Sequence, residues 1–155
     1  MANIIQWNIR GIEANRQDLD ILVLTQNPSI ICLQETLLNS DLSYKFFQTY
    51  NALGNLDEYG RGHGGTSILV KNDVIQSEIQ LDTKLQAVAV RVTLFKAITV
   101  CSVYIPPSSS IEIADLNNLL SQLPPPYILL GDFNAHSYLW GNKKMIQRVT
   151  LLNVS

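Results

Sequence analysis

The chain has 155 residues, of which 46% are hydrophobic and 15% are charged. This length suffices for one domain with its own core, and the composition is too apolar for an intrinsically disordered chain. The net charge of −2 creates no overall field that would draw the chain onto a polyanion or an anionic membrane. Nonspecific nucleic-acid binding through bulk charge is therefore disfavoured, whereas a site that binds phosphate through a metal ion stays open.

Two cysteines and the N-terminal residues bear on the cellular compartment. Cys32 and Cys101 each lie in an apolar run typical of a strand, and no Cys-x-x-Cys spacing indicates structural zinc. We expect two buried free thiols, because a buried cysteine behaves as a small hydrophobic residue. The sequence shows neither a signal-peptide pattern nor an apolar run of about 18 residues, the length that a membrane helix needs. We therefore expect an intracellular chain that does not engage a membrane.

The first 35 residues predict a parallel βαβ unit. A short strand over 3–7 is followed by a helix over 13–26, within which apolar residues recur at helical spacing. Asn27-Pro28 ends this helix, since proline cannot continue it. Ser29–Gln34 is then a nearly all-apolar run, typical of a strand that is covered on both faces. Two such strands joined by a helix are expected to pair in parallel.

The rest of the chain predicts further strands and one helix. Residues 36–53 indicate no definite element, and 60–65 is a glycine-rich loop that we expect at the rim of a cleft. Strands are predicted over 66–71, 87–94, 97–104 and 127–130, the second and third of them as a hairpin. Ser109-Ser110-Ile111-Glu112 has the spacing of a capping box that opens a helix to about Gln122. These elements predict one mixed α/β domain.

Polar residues follow three of the predicted buried strands. Asn8 follows the first, Glu35 follows the second, and Asp132 and Asn134 follow the last. Open α/β sheets bind ligands at the carboxyl ends of their strands, so these side chains are expected to converge. Singly, each also suits an ordinary turn or strand end. Together, two carboxylates and two amides form the oxygen-rich site that Mg²⁺ prefers, and such a site favours attack on a phosphodiester.

The glycine-rich loop satisfies the spacing G-x-G-x-x-G, but its context differs from that of a dinucleotide-binding loop. No clear strand precedes Gly60, and a strand rather than a helix follows Gly65. The phosphate-binding geometry requires the reverse order, so a dinucleotide fold is excluded. His63, within this loop, is either a contact to substrate phosphate or a loop residue without function.

Five short motifs occur together in the order found in one large superfamily. They are Gln6-Trp7-Asn8-Ile9-Arg10-Gly11, Gln34-Glu35-Thr36, Gly64-Gly65-Thr66-Ser67-Ile68-Leu69-Val70, Val103-Tyr104-Ile105-Pro106-Pro107 and Gly131-Asp132-Phe133-Asn134-Ala135-His136. In this the chain resembles the endonuclease/exonuclease/phosphatase superfamily, and most of all the apurinic-endonuclease-like domain of non-LTR retrotransposons. The resemblance defines a domain over 1–141. Residues 142–155 form a divergent tail that resembles the next helix of the family only in part.

The resemblance implies a four-layer α/β sandwich of two packed mixed sheets flanked by helices, with the second sheet incomplete in this chain. It implies Mg²⁺, with Mn²⁺ as an alternative, bound by Glu35 as the principal ligand with Asn8 close by. Asp132 would orient or deprotonate the attacking water, and Asn134 would hold Asp132 and the phosphate. Tyr104 would present its phenol to the phosphate or the leaving group.

The function implied is that of a DNA-nicking endonuclease of a non-LTR retrotransposon, which would act in the nucleus. The family closes its site with a later Asp-His pair, whereas the two histidines here, His63 and His136, lie in other contexts. We therefore expect impaired activity, and His136 and His63 remain candidate substrate contacts. Two alternatives stay open: a catalytically silent remnant acting at most as a binding module, and a repair-type abasic-site endonuclease or phosphoesterase. Nothing in the sequence resembles a polymerase.

Overall fold

The computed structural model describes residues 2–107, 109–132 and 147–151. Within these ranges it contains eleven strands and two helices. In chain order they are β1 (Ala2–Asn8), α1 (Arg16–Gln26), β2 (Ile30–Gln34), β3 (Phe47–Ala52), β4 (Asn55–Leu56), β5 (Gly62–His63), β6 (Thr66–Lys71), β7 (Ile75–Ile79), β8 (Gln86–Thr93), β9 (Ala97–Tyr104), α2 (Ile113–Ser121), β10 (Tyr127–Asp132) and β11 (Gln147–Leu151). Neither helix is long and apolar enough to cross a membrane, among the residues described.

The predicted βαβ unit is confirmed, because β1 and β2 pair in parallel across α1. The helix begins at Arg16 rather than at residue 13. The side-chain amide of Asn15 donates to the carbonyls of Ile9 (2.8 Å) and Gly11 (3.1 Å), which holds the preceding residues in turns. At the other end Asn27 adopts a left-handed conformation and donates its N–H to Val23 O (3.0 Å), so the helix ends where the sequence predicted.

The strands form two main sheets and one small hairpin. The first sheet has the order β11-β1-β2-β6-β3, the second has the order β10-β9-β8-β7, and β4 pairs with β5. The predicted hairpin of β8 and β9 is confirmed, and β10 pairs in parallel with β9. Residues 147–151, in the tail that resembles a helix in part, instead form strand β11 antiparallel to β1. This sequence carries adjacent β-branched residues, Val149 and Thr150, and β1 offers an edge with which they pair.

The two sheets pack face to face through an apolar layer. This layer contains Ile4, Ile30, Cys32, Ile68 and Val70 from the first sheet, and Val88, Val90, Val92, Ile98, Val100 and Leu130 from the second. Helix α1 packs on the other face of the first sheet through Leu19, and α2 packs on the other face of the second sheet through Leu116 and Leu119. The mixed α/β class is thereby confirmed. Every residue of β2 is buried because the second sheet covers one of its faces and α1 covers the other.

Both cysteines are free and buried, as the sequence predicted. Burial raises the pKa of the Cys101 thiol to about 12 and raises the pKa of Cys32 as well. Deprotonation would leave a thiolate in an apolar layer, so both thiols are inert in the folded chain.

Helix α2 begins three residues later than the predicted capping box. Its N-cap is Glu112, whose backbone N–H donates to Asp115 Oδ2 (2.8 Å). Ile111 is buried against the apolar side of the same helix before the first turn starts. The capping box is therefore formed by Glu112 and Asp115, because Ile111 packs on the second sheet before the helix begins.

Candidate active site

The carboxyl ends of β1 and β2 lie side by side. Asn8 and Gln34, the last residues of these strands, are partners in the register. The loops that follow run together, because Ile9 N–H donates to Gln34 O (3.1 Å) and Gly11 N–H donates to Glu35 O (2.8 Å). Asn8 and Glu35 therefore lie at the same edge of the first sheet.

Asp132 reaches this edge from the second sheet. It is the last described residue of β10, and it is only 1% exposed. The side-chain amide Nδ2 of Asn8 donates a hydrogen bond to Asp132 Oδ2. The structure thus brings together two candidates that are 124 positions apart in the sequence. Asn134 and His136 lie outside the described residues.

The other end of the Asn8 carboxamide has no hydrogen-bond partner among the residues that the structure describes. Its Oδ1 is buried and accepts no hydrogen bond from the described part of the chain, and the same holds for Thr36 Oγ1. An unsatisfied buried polar atom costs about 1–3 kcal/mol, so a bare oxygen beside a carboxylate calls for a donor or a cation. No cluster of three His, Cys, Asp or Glu side chains occurs among the described residues. The donor set at this edge is instead an amide oxygen with carboxylates, which suits Mg²⁺ or Mn²⁺.

The backbone that carries Glu35 is strained and firmly held. Glu35 has φ +54 and Leu37 has φ +56, a left-handed conformation that costs a non-glycine residue about 1–2 kcal/mol. Gly65 O accepts the N–H of Glu35 (2.8 Å), and Gly64 O accepts the N–H of Leu37 (2.9 Å). Such strain persists only where surrounding contacts over-determine it, and it concentrates at functional sites. Glu35 itself is half-buried.

The glycine-rich loop is what allows this close approach. Gly65 has φ +89, and a Cβ at this position would lie 2.7 Å from Thr36 Oγ1. Gly64 has φ +69, and a Cβ there would lie 2.6 Å from Gln86 Oε1 and 3.2 Å from the Tyr104 ring. Only glycine satisfies both the backbone and the space at these positions. The loop that was predicted at the rim of a cleft therefore packs between the Glu35 segment on one side and Gln86 of β8 and Tyr104 of β9 on the other.

Tyr104 lies beside Asp132. It ends β9, it is the register partner of Asp132, and it is buried. Its ring faces the glycine loop, as the distance from Gly64 shows. Because the two residues are register partners on adjacent strands, the side chains of Tyr104 and Asp132 lie on the same face of the second sheet.

A buried polar network beneath the site was not predicted. Gln34 Nε2 donates to Ser102 Oγ (3.0 Å), Ser102 Oγ lies 2.5 Å from Thr66 Oγ1, and Thr66 donates to Leu33 O (2.8 Å). These side chains belong to three strands of two sheets, and each is fully buried. Of the three, only Ser102 lies inside a strand, within the largely apolar β9, whereas Gln34 ends β2 and Thr66 begins β6.

His63 is held within its own hairpin. Its Nε2 lies 3.1 Å from Asp57 Oδ2, and its side chain is 62% exposed. Asp57 also accepts the backbone N–H groups of Arg61 and Tyr59 (2.9 Å each). These bonds, that of the Arg61 N–H first, lower the pKa of Asp57 to about 2. If His63 contacts a substrate, that contact therefore either replaces its interaction with the Asp57 carboxylate or forms in addition to it.

Residues 5–148 match the Endonuclease/Exonuclease/phosphatase family, and the chain belongs to that family. The chain is 27% identical over 155 residues to the probable RNA-directed DNA polymerase from transposon X-element of Drosophila melanogaster. This alignment covers 97% of this chain and 17% of that protein. The chain is 24% identical over 155 residues to the RNA-directed DNA polymerase from mobile element jockey of the same organism, covering 94% of this chain and 16% of that protein. The chain thus spans less than a fifth of the length of these relatives.

Solved structures show the same fold. The endonuclease domain of TRAS1, a telomere-specific non-LTR retrotransposon, superposes with a TM-score of 0.69 at 23% identity, over 92% of this chain and 65% of that domain. An AP endonuclease from Archaeoglobus fulgidus superposes with a TM-score of 0.60 at 16% identity, over 85% of this chain and 57% of that protein.

Proposed function

We propose that this chain is a metal-dependent phosphodiesterase domain that nicks DNA as part of a non-LTR retrotransposon protein. The observation that carries the proposal is the partly buried contact between Asn8 and Asp132, in which the buried Asn8 Oδ1 has no donor among the described residues. The family, the retrotransposon relatives and the fold of a retrotransposon endonuclease domain support it.

Asn8 Oδ1 and the Glu35 carboxylate would hold Mg²⁺ or Mn²⁺ at the edge of the first sheet. When bound, the ion would polarise a phosphoryl oxygen and neutralise charge that develops during hydrolysis. The donors fit such an ion because they are hard oxygens and because one of them is otherwise unsatisfied.

The other side chains would act on the water and the phosphate. Asp132 would accept a proton from the attacking water, and the Asn8 amide would fix the orientation of its carboxylate. Because Asp132 is 1% exposed, little bulk water competes for its oxygens. Tyr104 would donate its phenol O–H to the phosphate or the leaving oxygen, and Asn134 would hold the phosphate.

Nicking of supercoiled plasmid by the 155-residue chain tests the proposal. We expect nicking that depends on Mg²⁺ and falls about 100-fold or more in Glu35→Ala and Asp132→Asn, the range seen when one transition-state contact is lost. Asp73→Ala is the matched control, because Asp73 is an exposed carboxylate beyond the opposite end of β6. Nicking that persists in EDTA or in Glu35→Ala would contradict the proposal.

Two other outcomes correspond to the alternatives. A chain with native circular dichroism and no nicking would be a catalytically silent module. The fold similarity to an AP endonuclease motivates one further comparison, a duplex with a tetrahydrofuran abasic analogue against the intact duplex. Cleavage of the abasic duplex alone would identify a repair-type endonuclease.

A further inference from the structure

A groove of about 510 Å³ opens next to Tyr104. The chain segments that line it are residues 52–55, 84–86, 104–106 and 109–111. Its apolar lining includes Leu85, Ile105 and Ile111, which are all buried. Its polar lining includes Asn55, Lys84 and Ser110, which are exposed. The groove therefore has an apolar floor and a polar rim.

The groove is continuous with the candidate active site. Tyr104 pairs in register with Asp132 on one side and with Gln86 on the other. Neighbouring strands lie about 4.8 Å apart, so the groove begins one strand spacing from Asp132. Gln86 Oε1 also accepts the N–H of Gly65 (2.6 Å), the residue whose carbonyl holds Glu35. The groove therefore directly borders the candidate active site.

One cation stands at the rim of this groove. Lys84 Nζ lies 3.3 Å from Asp115 Oδ2, and the Lys84 side chain is 63% exposed. Asp115 is in turn held by the backbone N–H of Glu112, which lowers the pKa of the Asp115 carboxyl. The ammonium group is thus oriented by a fixed carboxylate while its remaining donors face solvent.

We propose that this groove binds the nucleotide next to the scissile phosphate, with its sugar or base on the apolar floor and its own phosphate at Lys84. The inference rests on the proposed function, because it takes the scissile phosphate to lie at Asn8 and Asp132. Consecutive nucleotides advance about 3.4 Å along the duplex axis, which is comparable to the one strand spacing between Asp132 and the groove, so the neighbouring nucleotide lies next to the groove. The accessible lining of the groove is largely polar, with Leu85, Ile105 and Ile111 beneath it, which suits a ligand that carries both a phosphate and a sugar or base.

The first experiment measures binding without catalysis. Deoxythymidine 3′,5′-bisphosphate is titrated into the ¹⁵N-labelled 155-residue chain in EDTA, with thymidine and inorganic phosphate as separate probes. We expect amide shifts of Leu85, Ile105 and Ile111 with the bisphosphate, and at least five-fold weaker binding in Lys84→Ala. Ser110→Trp, at an exposed position, should fill the groove and abolish binding. Lys96→Ala, in the turn at the far end of the β8–β9 hairpin, should bind as the unchanged chain does.

Absence of shifts at the groove amides would overturn the proposal. Equal affinity for inorganic phosphate and for the bisphosphate would also overturn it, since the groove would then hold an anion and not a nucleotide.

The second experiment measures nicking in the same variants. Lys84→Ala should raise KM several-fold at unchanged kcat, and it should reduce the slope of log KM against log salt by about one, as expected for one lost phosphate contact. Bisphosphate binding without any nicking would support the subsite and contradict the proposed function. Unchanged nicking in Ser110→Trp, with no bisphosphate binding, would overturn the subsite and leave the function intact.

Discussion

Asn8 uses the two ends of its carboxamide differently. The nitrogen donates to a carboxylate that is almost fully buried, while the oxygen is buried without a hydrogen bond from the described residues. A carboxylate at position 8 could not take the place of both the amide nitrogen and the amide oxygen, because it would place a second negative charge against Asp132. The residue type is therefore explained by the contact that it makes.

Asn8→Ala should reduce single-turnover nicking by about 10- to 100-fold, because a hydrogen bond to a charged group contributes about 1.5–3 kcal/mol. Asn3→Ala is the control: Asn3 lies near the other end of β1, where its amide donates to Gln26 O at an exposed position. Comparable rates in the two variants would show that the Asn8–Asp132 contact has no part in catalysis.

The glycine-rich loop shows how one element shapes the site. Gly65→Ala forces a Cβ against Thr36, and Gly60→Ala places a Cβ at similarly positive φ with no atom within 4 Å. We expect both to lose about 1–2 kcal/mol of unfolding free energy for the left-handed backbone. Only Gly65→Ala should also lose nicking activity by 10-fold or more, because the Glu35 segment must shift. Urea unfolding and plasmid nicking of both variants measure the difference, and equal activities would refute this role.

Asp57 in the β4–β5 hairpin is expected to make the stability of the chain depend on pH in the acid range. The pKa of Asp57 is about 2 in the folded chain against an ordinary value of 3.8, since N–H groups bind its charged form. The stabilisation it provides is therefore complete above about pH 4 and is lost as the pH falls through about 2. Thermal unfolding of the unchanged chain and of Asp57→Asn should differ by a constant amount above pH 4 and converge toward pH 2. Glu58→Gln, at an exposed neighbour, is the control, and a difference that does not vary with pH would contradict the assignment.

At the scale of the whole molecule, the sheets are joined by an apolar layer that becomes polar beneath the site. Gln34, Thr66 and Ser102 form that polar end and connect both sheets. Removing one member takes a hydrogen-bond partner from at least one fully buried neighbour, which is why such a network tolerates change poorly.

Ser102→Ala should lower the free energy of unfolding by about 1–3 kcal/mol, because Gln34 Nε2 and the Thr66 hydroxyl each lose a partner. Ser77→Ala, on the exposed side of edge strand β7, should change it by no more than about 0.5 kcal/mol. Urea unfolding of the two variants decides this, and equal midpoints would mean that the network contributes no net stability.

The structure also shows which elements local sequence could not reveal. Strands β3 and β7 were not predicted, and both are edge strands whose side chains, apart from the buried Phe47, are partly buried or exposed. An edge strand lacks the clear apolar run that marks β2 or β6, so its existence depends on a neighbour that is distant in sequence. The start of α2 was displaced for a related reason, because the seating of Ile111 on the second sheet outweighed a local capping pattern.

The sequence by itself determined the mixed α/β class, the parallel β1–α1–β2 unit, the β8–β9 hairpin and the burial of both thiols, because apolar periodicity and turn residues are local properties. It also indicated Asn8, Glu35 and Asp132 as candidates, through polar residues that follow apolar runs. Only the tertiary structure decided that Asn8 bonds to Asp132, that Glu35 is held in a left-handed conformation by Gly65, and that a groove begins at Tyr104. Those features arise where segments far apart in the chain are pressed together by the packing of two sheets, and no local pattern encodes such contacts.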